Sequence, residues 1–353
     1  MFRLKEKNSI VLEFKDDFIN ILVGNIKEVK ICDSIPIPRG LCEEGFIKDT
    51  RTLSEILLKY FLENNIEEEK VSFVIFGSDV ITRYIQVPYM KKENLRETIQ
   101  FEMKELINGE DYYLDYEIMN KDNDKNNPQL DILVAACIKK KIDSYVELSK
   151  ALNKKLDVID VLTNTINKIL VNSSLIYENK TIAMFYLGYS FSNVAISVNG
   201  ILKLERNIPF GFQNLINEYQ KELEGNEEEN LSLEKILRDI SLEGYDLKKL
   251  ANDHPKIKEL INNLLSIVDK AIKFYESGNR EKKVSKIVIL STLSINKAIR
   301  SYIENYFTIR SNVITNVQEL GLEVKNNNRE FIRFLSLYGL FLRRNWYEEI
   351  FKS

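Results

Sequence analysis

Carboxylates in one tight turn are the first residues in this chain with the types and spacing for chemistry. Glu13 lies within the apolar run Ser9–Phe14, and Asp16 and Asp17 lie between that run and the next, Phe18–Val23. Of these, the carboxylates of Glu13 and Asp16 could bind a metal ion. The alternative is that they are solvated carboxylates of an ordinary turn, and we expect no metal site here.

Histidine and cysteine offer little further chemistry. The single histidine, His254, precedes Pro255 in a polar stretch, and a Ser-His-Asp triad or a His-ligated zinc site would need it. We interpret it as a surface loop residue, so these mechanisms are not expected. The cysteines are Cys32, Cys42 and Cys137, and they have neither metal-ligand spacing nor an even pairing. This indicates reduced thiols in a cytoplasmic protein.

Composition narrows the class of protein. The chain has 353 residues, of which 44% are hydrophobic and 29% charged, as expected of a globular protein with two or more domains. Its 50 basic and 53 acidic residues are interleaved, which argues against nucleic acid as the main partner. The N-terminal residues become charged at once, and no apolar run approaches the ~18 residues of a membrane span. We therefore expect neither a signal peptide nor a transmembrane segment.

The stretch 71–107 has the clearest local pattern. Val71–Phe76 is a nearly continuous apolar run, Gly77-Ser78-Asp79 has turn chemistry, and Val80–Val87 ends at Pro88. We predict a β-hairpin from these two runs. The helix that follows places one apolar stripe against it, formed by Leu95, Ile99, Met103, Leu106 and Ile107.

A three-stranded meander occurs twice along the chain. Turn residues separate the strands of each copy, and helices follow each copy. The first copy is Ser9–Phe14, Phe18–Val23 and Ile26–Cys32, and the second is Thr181–Leu187, Asn193–Val198 and Ile201–Arg206. We predict helices at 50–64, 140–152 and 163–171 after the first copy, and at 210–222, 231–243, 246–251, 256–276 and 294–307 after the second. The recurrence fits two similar halves, and equally two meanders that arose independently.

Several short motifs stand in a fixed order along nearly the whole chain. They include Ile81-Thr82-Arg83, Pro88-Tyr89-Met90, Gln100-Phe101-Glu102-Met103, Leu114-Asp115-Tyr116, Arg206-Asn207-Ile208-Pro209-Phe210-Gly211 and Gly339-Leu340-Phe341-Leu342-Arg343. In this order and at this spacing they resemble the type IV pilus assembly protein PilM family, an actin-like relative of the cell-division protein FtsA.

The resemblance implies an α/β protein with the actin-like ATPase (ribonuclease H-like) fold. Such a fold has two similar halves, each with an inserted subdomain. The expected boundaries are 1–36 and 151–176 for the first core subdomain, 37–150 for an FtsA-like insert, 177–212 and 284–353 for the second core subdomain, and 213–283 for a helical insert.

The nucleotide-binding turns of actin-like proteins are degenerate in this chain. Lys15 replaces a glycine in the first turn, and Tyr186 replaces an aspartate in the second, although Gly188 is kept. The degenerate positions are Glu13, Asp16 and Asp17 in the first turn, Tyr186 and Gly188 in the second, and Ser291 and Thr292 in the third. The comparison therefore implies loss of ATP hydrolysis, with no catalytic residue, and weak or absent binding of ATP and Mg²⁺.

The family's function implies specific partners. It predicts a non-catalytic cytoplasmic adaptor of the pilus assembly platform, at the inner face of the cell membrane. Such an adaptor binds the N-terminal cytoplasmic peptide of a PilN-like membrane protein and links it to the pilus motor ATPases. The peptide groove lies between the first core subdomain and its insert, which makes Arg83, Phe101 and Glu102 candidates for peptide contact. The alternatives are core packing for Phe101 and a surface ion pair for Arg83 and Glu102.

Two other functions remain open. One is a PilM- or FtsA-like switch protein that still binds ATP through altered loops. The other is a membrane-tethered scaffold whose final helix, Arg329–Asn345, lies on lipid with arginines around an apolar face. A core helix that closes the second half explains this segment better, because the family motif runs through Gly339–Arg343.

Overall fold

The computed structural model describes most of the chain. The described residues are 7–107, 111–122, 128–173, 180–223, 255–278, 282–291, 297–314, 316–325 and 331–342. The chain divides into two compact units, Met1–Asn172 with Glu323–Ser353 and Ser173–Leu322. The predicted helices 231–243 and 246–251, together with His254, lie outside the described residues.

The first unit contains most of the elements. In chain order they are β1 (Ser9–Phe14), β2 (Phe18–Gly24), β3 (Val29–Pro36), β4 (Cys42–Glu43), β5 (Phe46–Ile47), α1 (Thr50–Glu63), β6 (Lys70–Ile75), β7 (Val80–Pro88), α2 (Lys92–Met103), β8 (Tyr112–Asp122), β9 (Gln129–Ile138), α3 (Lys139–Ala151), β10 (Lys155–Val161) and α4 (Leu162–Val171).

A five-stranded sheet, hereafter the core sheet, organises this unit. Its strand order is β10-β6-β1-β2-β3, in which β1, β2 and β3 form the predicted antiparallel meander. Strands β6 and β10 run parallel to β1. The rings of Phe14, Phe73 and Tyr145 meet beside the sheet with centroids 5.0 to 6.3 Å apart, so α3 packs directly on it.

The predicted β-hairpin within 71–107 is wrong. Strand β6 is the middle strand between β1 and β10, and β7 pairs with β9 in another sheet. The apolar run of β6 is buried on both faces, as in a central parallel strand, whereas β7 has buried, partly buried and exposed residues along its length. The turn at Gly77 therefore carries the chain from one sheet to the next, and residues 71–76 belong to the core sheet rather than to the expected insert at 37–150.

A second, three-stranded sheet forms the insert of this unit and is called the insert sheet below. Its order is β7-β9-β8, and it spans Val80 to Ile138 together with α2. Helix α2 covers one face through Leu95, Ile99 and Met103, which are almost fully buried against Ile132 and Val134 of β9. Helical spacing places these three α2 residues on one stripe, as predicted.

The second unit repeats the strand order of the first. Its elements are β11 (Thr181–Leu187), β12 (Ser192–Val198), β13 (Ile201–Ile208), α5 (Phe212–Leu223), α6 (Pro255–Gly278), β14 (Val284–Ser291), α7 (Lys297–Tyr306) and β15 (Ser311–Ile314). The sheet order is β13-β12-β11-β14-β15, again an antiparallel meander followed by two parallel strands. The two meanders thus belong to two sheets of identical topology, as the hypothesis of two similar halves requires.

The described part of the C-terminal segment packs in the first unit. The resemblance predicts that 284–353 belong to the second half, but the described residues from Glu323 onward belong to the first unit. The short helix Leu335–Tyr338 contacts α4, and the Tyr338 hydroxyl donates a hydrogen bond to the Ile26 carbonyl at 2.6 Å. A Cβ on Gly339 would lie 2.2 Å from the Thr165 carbonyl oxygen, so glycine permits the close approach.

These contacts also bear on the lipid-binding hypothesis. The apolar side chains of Phe331, Phe334, Leu335 and Leu337 are each at most 3% exposed, so they form core rather than a surface for lipid. Residues 326–330 and 343–353, which include both ends of the predicted final helix, lie outside the described residues. Among the described helices, none is both long enough and apolar enough to cross a bilayer.

Candidate functional site

The first turn, between β1 and β2, is filled by its own lysine. The Lys15 amine lies 3.0 Å from Glu13 Oε1 and 3.8 Å from the centroid of the Phe76 ring. Both members of this ion pair are buried, with side chains 3% and 0% exposed. The other oxygen of Glu13 accepts a hydrogen bond from Asn20 Nδ2 at 3.2 Å. Glu13 is therefore not a solvated carboxylate, and the cation beside it belongs to the protein.

Asp16 and Asp17 are held by other parts of the first unit. Asp16 Oδ1 accepts the Glu44 amide hydrogen at 2.9 Å, and the Asp17 carbonyl accepts that of Ile37 at 2.9 Å. Burial raises the pKa of Asp16 more than the Glu44 hydrogen bond lowers it, and the nearby charges of Asp17 and Glu44 raise it further. Within the described part of the chain, no group of three or more His, Cys, Asp or Glu residues is arranged to hold a metal ion.

The second turn, between β11 and β12, is closed by the start of α5. The Gly188 carbonyl accepts the Phe212 amide hydrogen at 3.1 Å, and the Tyr189 carbonyl accepts that of Gln213 at 2.8 Å. A Cβ on Gly188 would lie 2.2 Å from the Phe191 carbonyl oxygen, which explains why glycine is kept. Tyr186 is buried at the end of β11. Amide hydrogens at the N-terminus of α5, which could bind an anion, are bound to protein carbonyls instead.

The third degenerate loop is described in part. Ser291 is the last residue of β14 and is buried, and Thr292 lies outside the described residues. The structure therefore describes six of the seven degenerate positions. The first-turn positions lie in the first unit, and Tyr186, Gly188 and Ser291 lie in the second.

The three candidates for peptide contact all lie on the insert sheet and its helix. Arg83 is opposite Val134, which places it on the α2 side of the sheet, on the edge strand β7. Its Nη1 donates to the Thr82 carbonyl at 3.2 Å. Phe101 and Glu102 lie on the outer side of α2, and Phe101 is 76% exposed. Core packing therefore does not explain Phe101.

Sequence reasoning missed a polar cluster on the opposite face of the insert sheet. Asp131 of β9 is only 5% exposed and accepts a hydrogen bond from Gln86 Nε2 at 3.1 Å. Burial and a hydrogen bond to Asp131 both raise the pKa of Tyr84. The period-two pattern of β7 signals this cluster, because Tyr84 and Gln86 alternate with the apolar Ile85 and Val87.

Sequence reasoning also missed a buried lysine at the junction of the two sheets. Lys141 on α3 is 0% exposed, and Tyr145, one turn later on the same helix, has the same exposure. Two buried thiols lie in the same core cluster, and burial raises the pKa of Cys42 and of Cys137 to about 12. The hydrophobic spacing that predicts Tyr145 to face inward also places Lys141 on that face, since the two are four residues apart.

The two five-stranded sheets have the same strand order. The turns that correspond to the nucleotide-binding turns of actin-like proteins lie between β1 and β2 and between β11 and β12. Together these features define an actin-like ATPase fold. The structure is similar to a chain of the PilM-PilN type IV pilus biogenesis complex, with a TM-score of 0.77 and 16% identity over 95% of this chain and 99% of that one. The sequence model of the type IV pilus assembly protein PilM family matches residues 24–345, so the chain belongs to that family.

A more distant likeness has the same fold. The ethanolamine utilization protein EutJ from Carboxydothermus hydrogenoformans gives a TM-score of 0.55 and 8% identity over 96% of this chain and 90% of that one. Among curated proteins, no sequence matches the chain.

Proposed function

We propose that this chain is a non-catalytic adaptor of the type IV pilus assembly platform. In this function it binds the N-terminal cytoplasmic peptide of a PilN-like membrane protein and links it to the pilus motor ATPases. The peptide partner keeps the adaptor at the inner face of the cell membrane. Family membership supports the assembly role, and the likeness to the PilM-PilN complex supports the choice of partner.

The exposure of the Phe101 ring is the observation that supports the choice of binding surface. It presents an aromatic ring, 76% exposed, on the helix that covers the insert sheet. Exposed aromatic side chains are costly in water and are enriched among the anchors of protein interfaces. Arg83 on the neighbouring edge strand and Glu102 beside Phe101 add charges of both signs, which suit a peptide with polar groups beside apolar ones. These three residues are the proposed peptide contacts.

The peptide contact is tested by binding of a synthetic peptide. The probe is the labelled cytoplasmic N-terminus of the neighbouring PilN-like protein, titrated with the chain and followed by fluorescence anisotropy. Phe101→Ala is expected to weaken binding by about 30-fold, because loss of an aromatic anchor costs about 2 kcal/mol. Arg83→Ala is expected to weaken it as well, and to reduce the dependence of affinity on salt.

A matched control exists in the second unit. Phe274 on α6 is 72% exposed, so Phe274→Ala removes a similarly exposed ring from a residue that is not part of the insert. Its affinity should equal that of the wild type. Equal affinity for wild type, Phe101→Ala and Phe274→Ala would remove Phe101 from the binding surface, and no binding to the wild-type chain would overturn the peptide function.

The buried pair of Lys15 and Glu13 supports the second part of the proposal, that catalysis and tight ATP binding are lost. A lysine ammonium group already neutralises the carboxylate that would otherwise hold a metal ion. Asp16 and Asp17 remain beside it and repel phosphate oxygens.

Thermal unfolding with Mg-ATP tests this part. The midpoint is expected to stay unchanged when Mg-ATP is added at millimolar concentration. A ligand at about 100 times its dissociation constant would stabilise the chain by about 2.7 kcal/mol and raise the midpoint visibly. An upward shift with Mg-ATP, absent with Mg²⁺ alone, would favour the alternative of an ATP-binding switch protein.

A further inference from the structure

Two connections join the insert sheet to the core sheet, and they lie side by side. The chain leaves β6 at Ile75 and enters β7 at Val80, and it returns from β9 at Ile138 directly into α3. Val80 is opposite Cys137 in the register, so the outgoing and returning connections meet at this end of the insert sheet. Any rotation of the insert against the core sheet must bend both connections there.

The Lys141 amine bridges these connections. It donates hydrogen bonds to the Glu44 carbonyl at 2.8 Å, to the Phe76 carbonyl at 2.5 Å and to Asp79 Oδ1 at 2.7 Å. An ammonium group has three donors, so all of them are used. Phe76 and Asp79 belong to the outgoing connection, and Lys141 itself stands at the start of the returning helix. The amine therefore ties the two connections to one point.

The surrounding backbone is built around this amine. A Cβ on Gly77 would lie 2.8 Å from Lys141 Nζ, from Asp79 Oδ1 and from the Glu44 carbonyl oxygen, so this position requires glycine. The Tyr145 hydroxyl donates to the Gly45 carbonyl at 2.6 Å, which holds the β4–β5 turn against α3. Both turn residues, Glu44 and Gly45, have positive φ angles.

The same turn is also tied to its neighbours. The Glu44 amide donates to Asp16, and the Ser78 hydroxyl donates to Glu44 Oε2 at 2.8 Å. Three turns, from the first meander, from β4–β5 and from the outgoing connection, thus meet at Glu44. Several independent contacts hold this junction, as expected of a rigid connection between the two sheets rather than a flexible linker.

We propose that Lys141 is a positioning residue for peptide recognition. Its buried ammonium group fixes the insert sheet at one angle to the core sheet, and so keeps pre-organised the groove that the family resemblance implies between them for the peptide. This inference rests on the proposed function, and it assigns to Lys141 a role that does not require contact with the peptide. A pre-organised surface binds more tightly because no ordering is needed on association.

The test compares two readouts in the full chain. Lys141→Met keeps most of the side-chain volume and removes the three donors. Hydrogen exchange measured by mass spectrometry, without peptide, should become at least about tenfold faster at 77–80 and in the adjoining ends of β7 and β9. The affinity for the synthetic PilN-like peptide should fall by about tenfold. Asp79→Asn, which leaves both carbonyl acceptors in place, should show the same changes to a smaller extent and serves if Lys141→Met does not fold.

Two lysines provide matched controls. Lys168→Met breaks another largely buried ion pair, in which Nζ lies 2.7 Å from Asp160 Oδ2, but this pair joins α4 to β10 and includes neither connection to the insert sheet. It should lower stability without changing peptide affinity or exchange at 77–80. Lys140→Met removes an exposed lysine next to Lys141 and should change neither readout.

The possible outcomes separate the two proposals. Unchanged exchange at 77–80 in Lys141→Met, or a peptide affinity equal to that of Lys168→Met, would overturn the positioning role of Lys141. Faster exchange in Lys141→Met, together with no binding of peptide to the wild-type chain, would overturn the proposed function and the recognition role. Only the structural role of Lys141 at the junction of the two sheets would then remain.

Discussion

Lys15→Met is expected to lower the free energy of unfolding by about 3–5 kcal/mol, because it leaves Glu13 as a buried charge without its cation. The Lys15 stem and the methionine side chain have similar volume, so packing against Phe76 is largely kept. Glu13 is fully buried and would retain the Asn20 hydrogen bond as its described partner. Urea unfolding followed by circular dichroism measures the change.

A second substitution separates charge from packing. Adding Glu13→Gln to Lys15→Met removes the orphaned charge, and most of the lost stability should return. Lys30→Met is the matched control, because that amine is half exposed and 3.7 Å from Glu68, and its loss should cost under about 1 kcal/mol. Equal losses for Lys15→Met and Lys30→Met would show that the first-turn ion pair does not stabilise the fold.

Ile99→Ala is expected to destabilise the insert by about 2–5 kcal/mol, because it opens a cavity between α2 and the insert sheet. Ile99 is 0% exposed and packs in the cluster that contains Ile132 and Val134. The effect should be local. Hydrogen exchange should accelerate across β7, β8 and β9, while β1 and β6 of the core sheet remain protected.

An isoleucine of the second unit provides the control for this local effect. Ile272 on α6 is 1% exposed, so Ile272→Ala creates a comparable cavity outside the insert. It should leave exchange in β7, β8 and β9 unchanged. If Ile99→Ala and Ile272→Ala accelerate exchange across the same strands, the insert does not unfold as a separate unit.

The meanders could be predicted from the sequence because their information is local. Strands β1 and β11 have the predicted bounds, and turn residues separate each strand from its neighbour. The same local reasoning failed at Gly77-Ser78-Asp79, where turn chemistry suggested a hairpin. The partners of β6 and β7 lie far away in the sequence, in β1, β10 and β9, and pairing over that distance leaves no local signal.

The candidate site was only partly predictable, for a related reason. The departure of the first turn from the family pattern was visible at Lys15, but its ion pair with Glu13 depends on a side-chain conformation that sequence does not specify. Lys141 follows two exposed lysines, which suggests a solvated run of charge. Its acceptors at 44, 76 and 79 come from other elements, so its burial follows from tertiary structure.

The hydrogen bond between Tyr338 and Ile26 joins residues 312 positions apart and has a consequence for synthesis on the ribosome. The core sheet can form early, but α4 gains its contacts with Leu335–Tyr338 only after the whole second unit has been translated. The apolar surface of α4 in the nascent first unit therefore stays uncovered while the ribosome synthesises about half of the chain. At ~5–20 residues per second this exposure lasts roughly ten seconds or more, long enough for chaperones to bind.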